Sequence, residues 1–336
     1  MALFMGLTAM VMLIGCGSVD ERDVAELTAA VEKSSTAELS VAVEACDYAD
    51  ETSPTEEVSD HTDAAEMEAS FDVVSVTEES VAKADTVEPQ ILEFVDVFGE
   101  QYETVIRDEV PKHEYSNDAF VRDGEKLVYE DEQYTSRLGI DVSRYQGRIN
   151  WEKVKADGYE FAFIRIGFRG YGKAGEIHLD QRFHENIRNA QAAGVDVGVY
   201  FFSQAISEEE ALEEAQFVMD ILEGYELQLP IVYDPESILD HEARTDDVSG
   251  EQFTRNTRVF CDAIREGGFE PMIYSNMLWE AFEFDLAALQ DIPIWYADYE
   301  EFPQTPYYFT YWQYTNEGRI KGIDGGIDID IQMIRK

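Results

Sequence analysis

Positively charged residues are scarce in this sequence relative to negatively charged ones. Its 336 residues include 25 Lys and Arg against 71 Asp and Glu, a formal net charge of −46 at pH 7. Proteins that bind nucleic acid or adsorb to anionic lipid present clusters of Lys and Arg. Because no such cluster is visible here, the composition argues against a nucleic-acid partner and against electrostatic attachment to a membrane. The acidity favours solubility in a salty or crowded exterior.

Cysteine and histidine are scarce as well. The three cysteines, Cys16, Cys46 and Cys261, form no CxxC pair, which excludes a zinc ribbon and argues against a structural disulfide. No metal-ligand spacing is found among the histidines, which are His61, His113, His178, His184 and His241. No GxGxxG follows a first strand, so a dinucleotide-binding domain has no support. We therefore expect neither a metal nor a cofactor.

A long membrane-spanning run is also missing. MALFMGLTAMVMLIGCGS is apolar up to Gly15, but its core of about a dozen residues is too short to cross roughly 30 Å of hydrocarbon. Its length is typical of a signal peptide. Leu13-Ile14-Gly15-Cys16 resembles the bacterial lipobox, in which the cysteine is lipidated and becomes the first mature residue. We predict a signal peptide over 1–16 and a lipid anchor at Cys16. The absence of a preceding Lys or Arg departs from that pattern, and an ordinary cleaved signal or a short buried helix is the alternative.

The following segment, residues 17–100, has few aromatic side chains. It contains 24 acidic and 3 basic residues. Such a segment cannot bury enough apolar surface to offset the entropy lost on ordering, so we predict a disordered linker. A flexible coil of this length spans on the order of 50 Å, and repulsion between the acids extends it. Behind a lipid anchor, such a linker would let the rest of the chain reach a target outside the membrane.

The remaining residues have a globular composition. Eight apolar or aromatic runs predict strands at 137–143, 161–168, 196–203, 229–236, 271–276, 293–299, 309–315 and 326–334. Most of these runs are continuously apolar, which favours parallel strands covered on both faces. Amphipathic segments separate the earlier strands and short loops separate the later ones. The order predicts an α/β fold, an irregular (β/α)8-type barrel with fewer than eight helices, over 137–336. Residues 101–136 form a lead-in segment, in which KLVYED is a candidate extra strand.

Acidic residues stand on three of the predicted strands. The first strand ends at Asp141, the fourth at Asp234 and Glu236, and the last carries Asp328 and Asp330. Residues i and i+2 of a strand face the same side, and barrel enzymes place their chemistry at the carboxyl ends of the strands. Any one of these acids is more simply explained as a cap or a solvated side chain. Together they predict a site in which crowding raises at least one pKa, as a general acid requires.

The same segments resemble a known family. The resemblance starts at GIDVSRYQGRINWEKVKADGYEFAFIRIG and continues through AGVDVGVYFFSQA, LPIVYDPES, PMIYSN, PIWYADY, YWQYTNEGRIKGI and DGGIDID. These motifs are similar to those of the glycoside hydrolase family 25 muramidases, lysozymes that cut bacterial peptidoglycan. The resemblance covers 137–336. It implies an irregular α/β barrel and hydrolysis of the β-1,4 bond between N-acetylmuramic acid and N-acetylglucosamine.

The resemblance also implies roles for individual residues. Glu236 matches the general acid/base, Asp234 the aspartate two residues before it, Asp141 the aspartate of the opening DVS motif and Asp328 the late aspartate of the family. The positions matched to the lining of the sugar cleft are Tyr200, Tyr274, Trp295 and Gln313. For these four, packing of a strand-end side chain in the core is an equally good explanation.

Three positions depart from the family pattern. Pro235 stands between the paired acids, where relatives often have Trp or Val, and Phe201 replaces a common histidine. Asp330 replaces an asparagine and is expected to add a charge to the site. None of these changes removes a group that transfers a proton.

The arrangement of other hydrolases with an Asp-x-Glu motif suggests substrate assistance with retained configuration. Glu236, neutral in the resting site, protonates the leaving oxygen and then activates water, while Asp234 orients the acetamido group of the sugar. The expected partners are cell-wall peptidoglycan and, through Cys16, the outer face of the bacterial membrane. Two alternatives stay open. One is a catalytically impaired wall-binding lipoprotein, which Pro235 and Asp330 favour, and the other is a hydrolase of different amino-sugar polymers.

Overall fold

The computed structural model describes residues 89–238 and 242–336. The predicted signal peptide, the predicted anchor at Cys16 and the predicted linker up to residue 88 lie outside the described residues. Within the described part of the chain, no helix is both long and apolar enough to span a membrane.

Most of the described residues belong to one barrel and the segments that cover it. The strands of this part of the chain are β1 (Ile91–Val95), β2 (Gln101–Val105), β3 (Phe120–Asp123), β4 (Lys126–Tyr129), β5 (Tyr134–Val142), β6 (Tyr159–Arg169), β7 (Ile177–Leu179), β8 (Asp196–Ser203), β9 (Ile231–Pro235), β10 (Pro271–Asn276), β11 (Ile294–Ala297), β12 (Tyr311–Gly318) and β13 (Ile327–Arg335). Its α-helices are α1 (Trp151–Ala156), α2 (Phe183–Ala192), α3 (Glu208–Ile221), α4 (Gly250–Glu266) and α5 (Leu286–Leu289).

Eight strands close the barrel in the order β5, β13, β12, β11, β10, β9, β8 and β6, and β6 pairs back to β5. All eight predicted strands are present, with ends that differ from the predicted ones by at most three residues. The predicted α/β barrel with fewer than eight helices is confirmed. The short strand β7 pairs with β6 outside this ring.

The direction of β13 differs from the expectation. Seven barrel strands run parallel, whereas β13 runs antiparallel to both β5 and β12. Asp328 and Asp330 therefore lie near the amino end of β13 and not at its carboxyl end. Because the strand is reversed, this end still meets the carboxyl ends of the other strands at the same rim.

The helices cover only part of the barrel wall. Helices α1 to α3 pack on β6 or β8, and α4 packs on β9 and β10. The two long helices begin where the sequence indicates: the side chains of Ser207 and Ser249 accept hydrogen bonds from the backbone N–H groups of Glu210 and Gln252. No described helix packs on the outer faces of β12 and β13, which follow short loops.

Residues 89–133 cover this helix-free flank. Phe120 packs edge-on against Trp312 with ring centroids 5.4 Å apart, and Tyr115 lies 5.0 Å from Phe309. The Tyr115 hydroxyl donates to the Phe309 carbonyl oxygen at 2.7 Å. KLVY forms β4, as suggested by the sequence, and pairs with β3; Glu130, the next residue, forms an isolated antiparallel bridge with Thr135 of β5.

The predicted linker ends earlier than the sequence suggests. Residues 91–100, assigned to it by composition, form β1 and the turn into β2. Phe94 is buried because it stacks on Tyr102 and touches Phe282. The side chain of Gln304 bonds both the N–H and the carbonyl of Val95, at 2.8 and 2.9 Å.

We predict that the segment before residue 131 stabilises the barrel. A chain of residues 131–336 keeps every barrel strand but exposes the outward aromatic side chains of β12 and its preceding loop. Losing a large buried aromatic contact costs about 3–5 kcal/mol. Since about 1 kcal/mol shifts Tm by roughly 2–4 °C in a domain of this size, Tm should fall by about 10 °C or more relative to residues 89–336. Equal Tm values and equal binding of a hydrophobic dye would contradict the prediction.

Candidate active site

Strand alternation divides the inside of the barrel into an apolar floor and a polar mouth. Inward side chains at one level form a small apolar cluster, which includes Phe163, Val232 and Trp295 and is separate from the larger core under the helices. Two residues further along the parallel strands, the inward positions are polar. At this upper level lie Asp141, Arg165, Asp234, Tyr274, Gln313 and Asp328. Glu236, which follows β9, interacts electrostatically with Asp141, Asp234 and Asp328, so the structure brings together all four acids that the sequence assigns to the site.

Asp141 and Asp328 face each other directly. They are paired residues in the register of β5 and β13, and their carboxyl groups are hydrogen-bonded to each other. Burial raises the pKa of Asp141 to about 7 and raises the pKa of Asp328 well above its usual value, with a further increase from the charge of Asp141. A hydrogen bond between two carboxyl groups requires a proton on one of them. This pair therefore holds a proton near neutral pH.

Gln313 fixes the position of Asp141. Its amide nitrogen donates to Asp141 Oδ2 at 2.7 Å. Its amide oxygen accepts from the hydroxyls of Tyr274 and Tyr299, at 3.0 and 2.8 Å. Because Gln313 is only 5% exposed, it supports an acid and offers little surface to a ligand.

Asp234 and Glu236 form a second pair. Asp234 is buried at the end of β9, Glu236 follows the strand and is half-buried, and their carboxyl groups are hydrogen-bonded. Burial raises both pKa values. For Asp234 the charges of Glu236 and Asp141 add to the increase, and the shared hydrogen bond raises the pKa of Asp234 while lowering that of Glu236. Because a hydrogen bond between two carboxyl groups requires a proton on one of them, this pair shares a proton.

The backbone at Glu236 is held from the neighbouring strand. Pro235 has no N–H to donate, so the ladder loosens there. Gln204, buried after β8, donates through Nε2 to the carbonyl oxygens of Ser203 and Glu236 at 2.9 and 2.7 Å. Its Oε1 accepts from the Thr245 hydroxyl at 2.9 Å. The position of Glu236 is thus fixed despite the unusual proline.

The four side chains matched to a sugar cleft have different environments. Trp295 is 1% exposed and Tyr200 is 7% exposed, and both belong to the apolar floor. The core-packing explanation therefore fits these two residues. Gln313 holds Asp141. Tyr274 is the half-buried member of the four and lies at the level of the acids.

Asp330 lies beneath the mouth and is fully buried. Its Oδ1 accepts from the Trp295 indole nitrogen at 2.8 Å, and Oδ2 has no hydrogen-bond partner among the described residues. Burial raises its pKa well above the usual value, and the charge of Asp141 adds to this. These conditions favour a neutral carboxyl group. The expectation that Asp330 adds a charge to the site is therefore wrong.

Arg165 is a site residue that the sequence interpretation missed. It is the next inward position after Phe161 and Phe163 on β6, so the alternation of this strand could have identified it. The positive charge of Arg165 lowers the pKa of both Asp234 and Glu236, opposing the effect of burial. Its Nε donates to Asp180 at 2.9 Å.

Tyr299 was missed as well. It is half-buried just after β11. Burial raises the pKa of its hydroxyl, and the charges of Asp328, Glu236 and Asp141 raise it further, which places the hydroxyl among these acids. Within residues 89–238 and 242–336, no three His, Cys, Asp or Glu side chains are arranged to hold a metal ion. The closely spaced carboxyl groups of the site can transfer protons to and from a bound ligand.

Comparison with known proteins places the barrel in a family. The sequence model described as Glycosyl hydrolases family 25 matches residues 140–323. The Autolytic lysozyme of Clostridium acetobutylicum is 24% identical over 193 residues, which are 57% of this chain and 54% of that protein. Lysozyme M1 of Streptomyces globisporus is 28% identical over 214 residues, 56% of this chain and 65% of that protein. The chain thus spans between half and two thirds of the length of these relatives.

Solved structures show the same fold. The modular autolysin LytC from Streptococcus pneumoniae superposes with a TM-score of 0.53 at 21% identity, covering 72% of this chain and 56% of that one. A family 25 glycosyl hydrolase from Bacillus anthracis gives 0.50 at 23% identity, covering 63% and 94%. The residues that match the family model, 140–323, extend from the end of β5 to just beyond β12 and include Asp141, Asp234 and Glu236 but not Asp328. The chain belongs to glycosyl hydrolases family 25.

Proposed function

We propose that this protein is a peptidoglycan hydrolase that cleaves the β-1,4 bond between N-acetylmuramic acid and N-acetylglucosamine. The observation that carries the proposal is the proton-sharing pair of Asp234 and Glu236 at the mouth of a family 25 barrel. The relatives named as lysozymes support the substrate class.

The separation of the two carboxyl groups favours substrate assistance. Retaining enzymes with a carboxylate nucleophile separate their two carboxyl groups by about 5–5.5 Å, and inverting enzymes by about 6.5–9.5 Å. Asp234 and Glu236 are within hydrogen-bond distance of each other, so no sugar ring fits between them. A nucleophile must therefore come from elsewhere, and the 2-acetamido carbonyl oxygen of the sugar is suitably placed next to C1.

The position of the shared proton determines the order of the reaction steps. The acetamido N–H of a bound sugar donates to Asp234, and the shared proton moves onto Glu236. Glu236 then protonates the glycosidic oxygen while the acetamido carbonyl oxygen attacks C1, which breaks the bond to the leaving sugar and closes a five-membered cationic ring. Asp234 stabilises this cation. Glu236, now ionised, takes a proton from water as the water attacks C1 and reopens the ring, so two displacements retain the configuration.

The pair of Asp141 and Asp328 supports the pair of Asp234 and Glu236. Asp141 raises the pKa of Asp234, and Gln313 holds Asp141 in place. We propose that Asp141 and Asp328 keep the site poised for proton transfer and hydrogen-bond the sugar in the cleft. Tyr274 and Tyr299, both half-buried beside the acids, complete the wall that meets it.

We further propose that the enzyme acts outside the cell, at the membrane surface or in the wall. Cys16 as a lipid anchor and residues 17–88 as a flexible linker give it reach from the outer face of the membrane, on the order of 50 Å. The proposal rests on the sequence pattern of this region alone.

Replacing Glu236 by Gln should abolish hydrolysis, because the amide can neither donate the proton to the leaving oxygen nor take one from water. The expected loss is about 10²–10⁴-fold, measured as new reducing ends on purified cell walls, with mass spectrometry to show that they are muramic acid. Wall binding and Tm should be unchanged. Glu226→Gln, an exposed change before β9, is the control and should keep full activity. A Glu236→Gln variant with near-normal turnover would refute the assignment, and a native protein that binds walls without cutting them would favour the impaired alternative.

Asp234→Asn should lower kcat by a factor of about 10² or more with a small change in KM, since the amide cannot stabilise the cyclic cation.

The native enzyme should release its first product in the β configuration, seen by proton NMR before the anomers equilibrate. A first product in the α configuration would exclude substrate assistance.

Asp330→Asn should stabilise the protein without changing turnover more than about twofold. The pKa of Asp330 is raised in the folded state, so the folded protein binds more protons than the unfolded one above pH 4, and stability falls as pH rises. Asparagine keeps an oxygen acceptor for Trp295 and removes this dependence. Tm should therefore rise at pH 7, by roughly 2–4 °C for each kcal/mol gained, and rise less at pH 4. A lower Tm at pH 7, or a large loss of activity, would contradict this role.

A further inference from the structure

Glu236 lies one residue beyond the strand that carries it. Ser203 and Pro235 are the last paired residues in the register of β8 and β9. Because the ladder ends there, the hydrogen bond to the Glu236 carbonyl oxygen comes from a side chain, the amide of Gln204. The orientation of the acid therefore depends on how firmly this amide is held.

Gln204 is held at two points by the segment that precedes α4. The Thr245 hydroxyl donates to Gln204 Oε1 at 2.9 Å, and Arg244 Nη1 donates to the Gln204 carbonyl oxygen at 3.0 Å. The backbone N–H of Arg244 donates to the carbonyl oxygen of Tyr171, in the loop between β6 and β7, at 3.0 Å. Gln204 is 1% exposed and Thr245 is 7% exposed, so water has little access to these bonds.

An ion pair fixes Arg244 itself. Its Nη1 and Nη2 donate to the two carboxylate oxygens of Glu210, in the first turn of α3, at 2.8 and 2.7 Å. Burial acts to raise the pKa of Glu210, but the hydrogen bonds from Arg244 and from the Ile206 N–H outweigh it and lower the pKa below its usual value. Glu210 is therefore ionised at neutral pH. A bidentate pair of this kind combines strength with a fixed direction.

The guanidinium group of Arg244 is also packed against backbone. Gly175, in the loop between β6 and β7, has a φ of +58°, and a Cβ added to it would lie 2.3 Å from Arg244 Cζ. The carbonyl oxygen of Gly175 accepts from Arg169 Nη1 at 2.7 Å, and Arg169 is paired in turn with Glu214. The loop is thus fixed, and the absence of a side chain at Gly175 leaves the space that Arg244 occupies.

We propose that Arg244 is a positioning residue for Glu236 and acts through Gln204. This inference rests on the proposed function, in which Glu236 donates a proton to the leaving oxygen and then takes one from water. Both steps require the carboxyl group to be aligned with the bond that breaks, and small displacements of an aligned group are costly. Arg244 fastens Gln204 to α3, and Gln204 sets the backbone of Glu236 where Pro235 has ended the ladder.

Arg244→Met should lower kcat about tenfold and leave KM within twofold, because the acid is misaligned while the other groups that meet the sugar stay in place. Rates are measured on soluble, uncrosslinked peptidoglycan strands, and Tm reports folding. Arg258→Met is the matched control, since it also removes a bidentate pair, with Asp291 on the outside of the barrel. The control should lower Tm and keep kcat within twofold.

A double variant tests the route through Gln204. In Gln204→Leu the amide is already lost, so adding Arg244→Met should reduce kcat by less than a further twofold. Losses that multiply in the double variant would show that Arg244 acts by another route and would overturn the inference.

Gly175→Ala disturbs Arg244 without removing its charge. The added methyl group displaces the guanidinium group, so kcat should fall with KM little changed, as in Arg244→Met. Gly172→Ala, in the same loop, is the control because its added Cβ would meet no atom within 4 Å. A native kcat in both Gly175→Ala and Arg244→Met would contradict the positioning role.

A readout that does not need hydrolysis separates this role from the proposed function. Because Asp234 and Glu236 share a proton, the Glu236 carboxyl group should titrate in two steps in the native protein, followed by ¹³C NMR and assigned with Glu236→Gln. Arg244→Met should leave a single step as the two carboxyl groups separate. A wild type that cuts peptidoglycan, with an unchanged titration in Arg244→Met, would refute the positioning role alone. A titration that changes as expected in a protein that cuts no peptidoglycan would instead refute the proposed function.

Discussion

Closure of the barrel by a reversed strand is the constraint on which the site depends. β13 joins β5 on one side and β12 on the other, and its register sets Asp328 opposite Asp141. Without this closure, the first and last strands would be open edges and their acids would be far apart. With it, four carboxyl groups meet above an apolar floor, where water is scarce and ionisation is costly.

The acids respond to this environment by holding protons in pairs. Each pair combines one carboxyl group on a strand end with a partner within hydrogen-bond distance. Neighbouring groups then set the balance: Arg165 favours ionisation of Asp234 and Glu236, while burial opposes it. A site built in this way can move a proton by changing a hydrogen-bond partner, without a large motion of the backbone.

Much of this arrangement could be predicted from the sequence. Continuous apolar runs located the barrel strands because parallel strands are covered on both faces, and the acids at their ends indicated the mouth. Periodicity reports which face a side chain occupies but not which way a strand runs, so the reversal of β13 was missed. The sequence pattern also does not show whether an inward side chain lies at the floor of the barrel or at its mouth. For that reason Trp295 was assigned to the cleft although it lies in the floor. Arg165 was overlooked because the residues next to it on β6 are apolar.

The lead-in illustrates a further limit. Residues 91–100 are as acidic as the segment before them, and composition alone placed them in the linker. Their order comes from Phe94, Tyr102 and Phe282, which meet only in the folded chain. Tertiary contacts of this kind have no local signal in the sequence.

The hairpin of β1 and β2 also has a mechanical consequence. The described chain enters through β1, so traction applied to the amino-terminal side reaches this strand first. It is resisted there by the pairing with β2 and by the two bonds between Gln304 and Val95. Under load, the hairpin is expected to separate before force reaches β5 and the ring, so the acid pairs would keep their spacing while the first strands gave way.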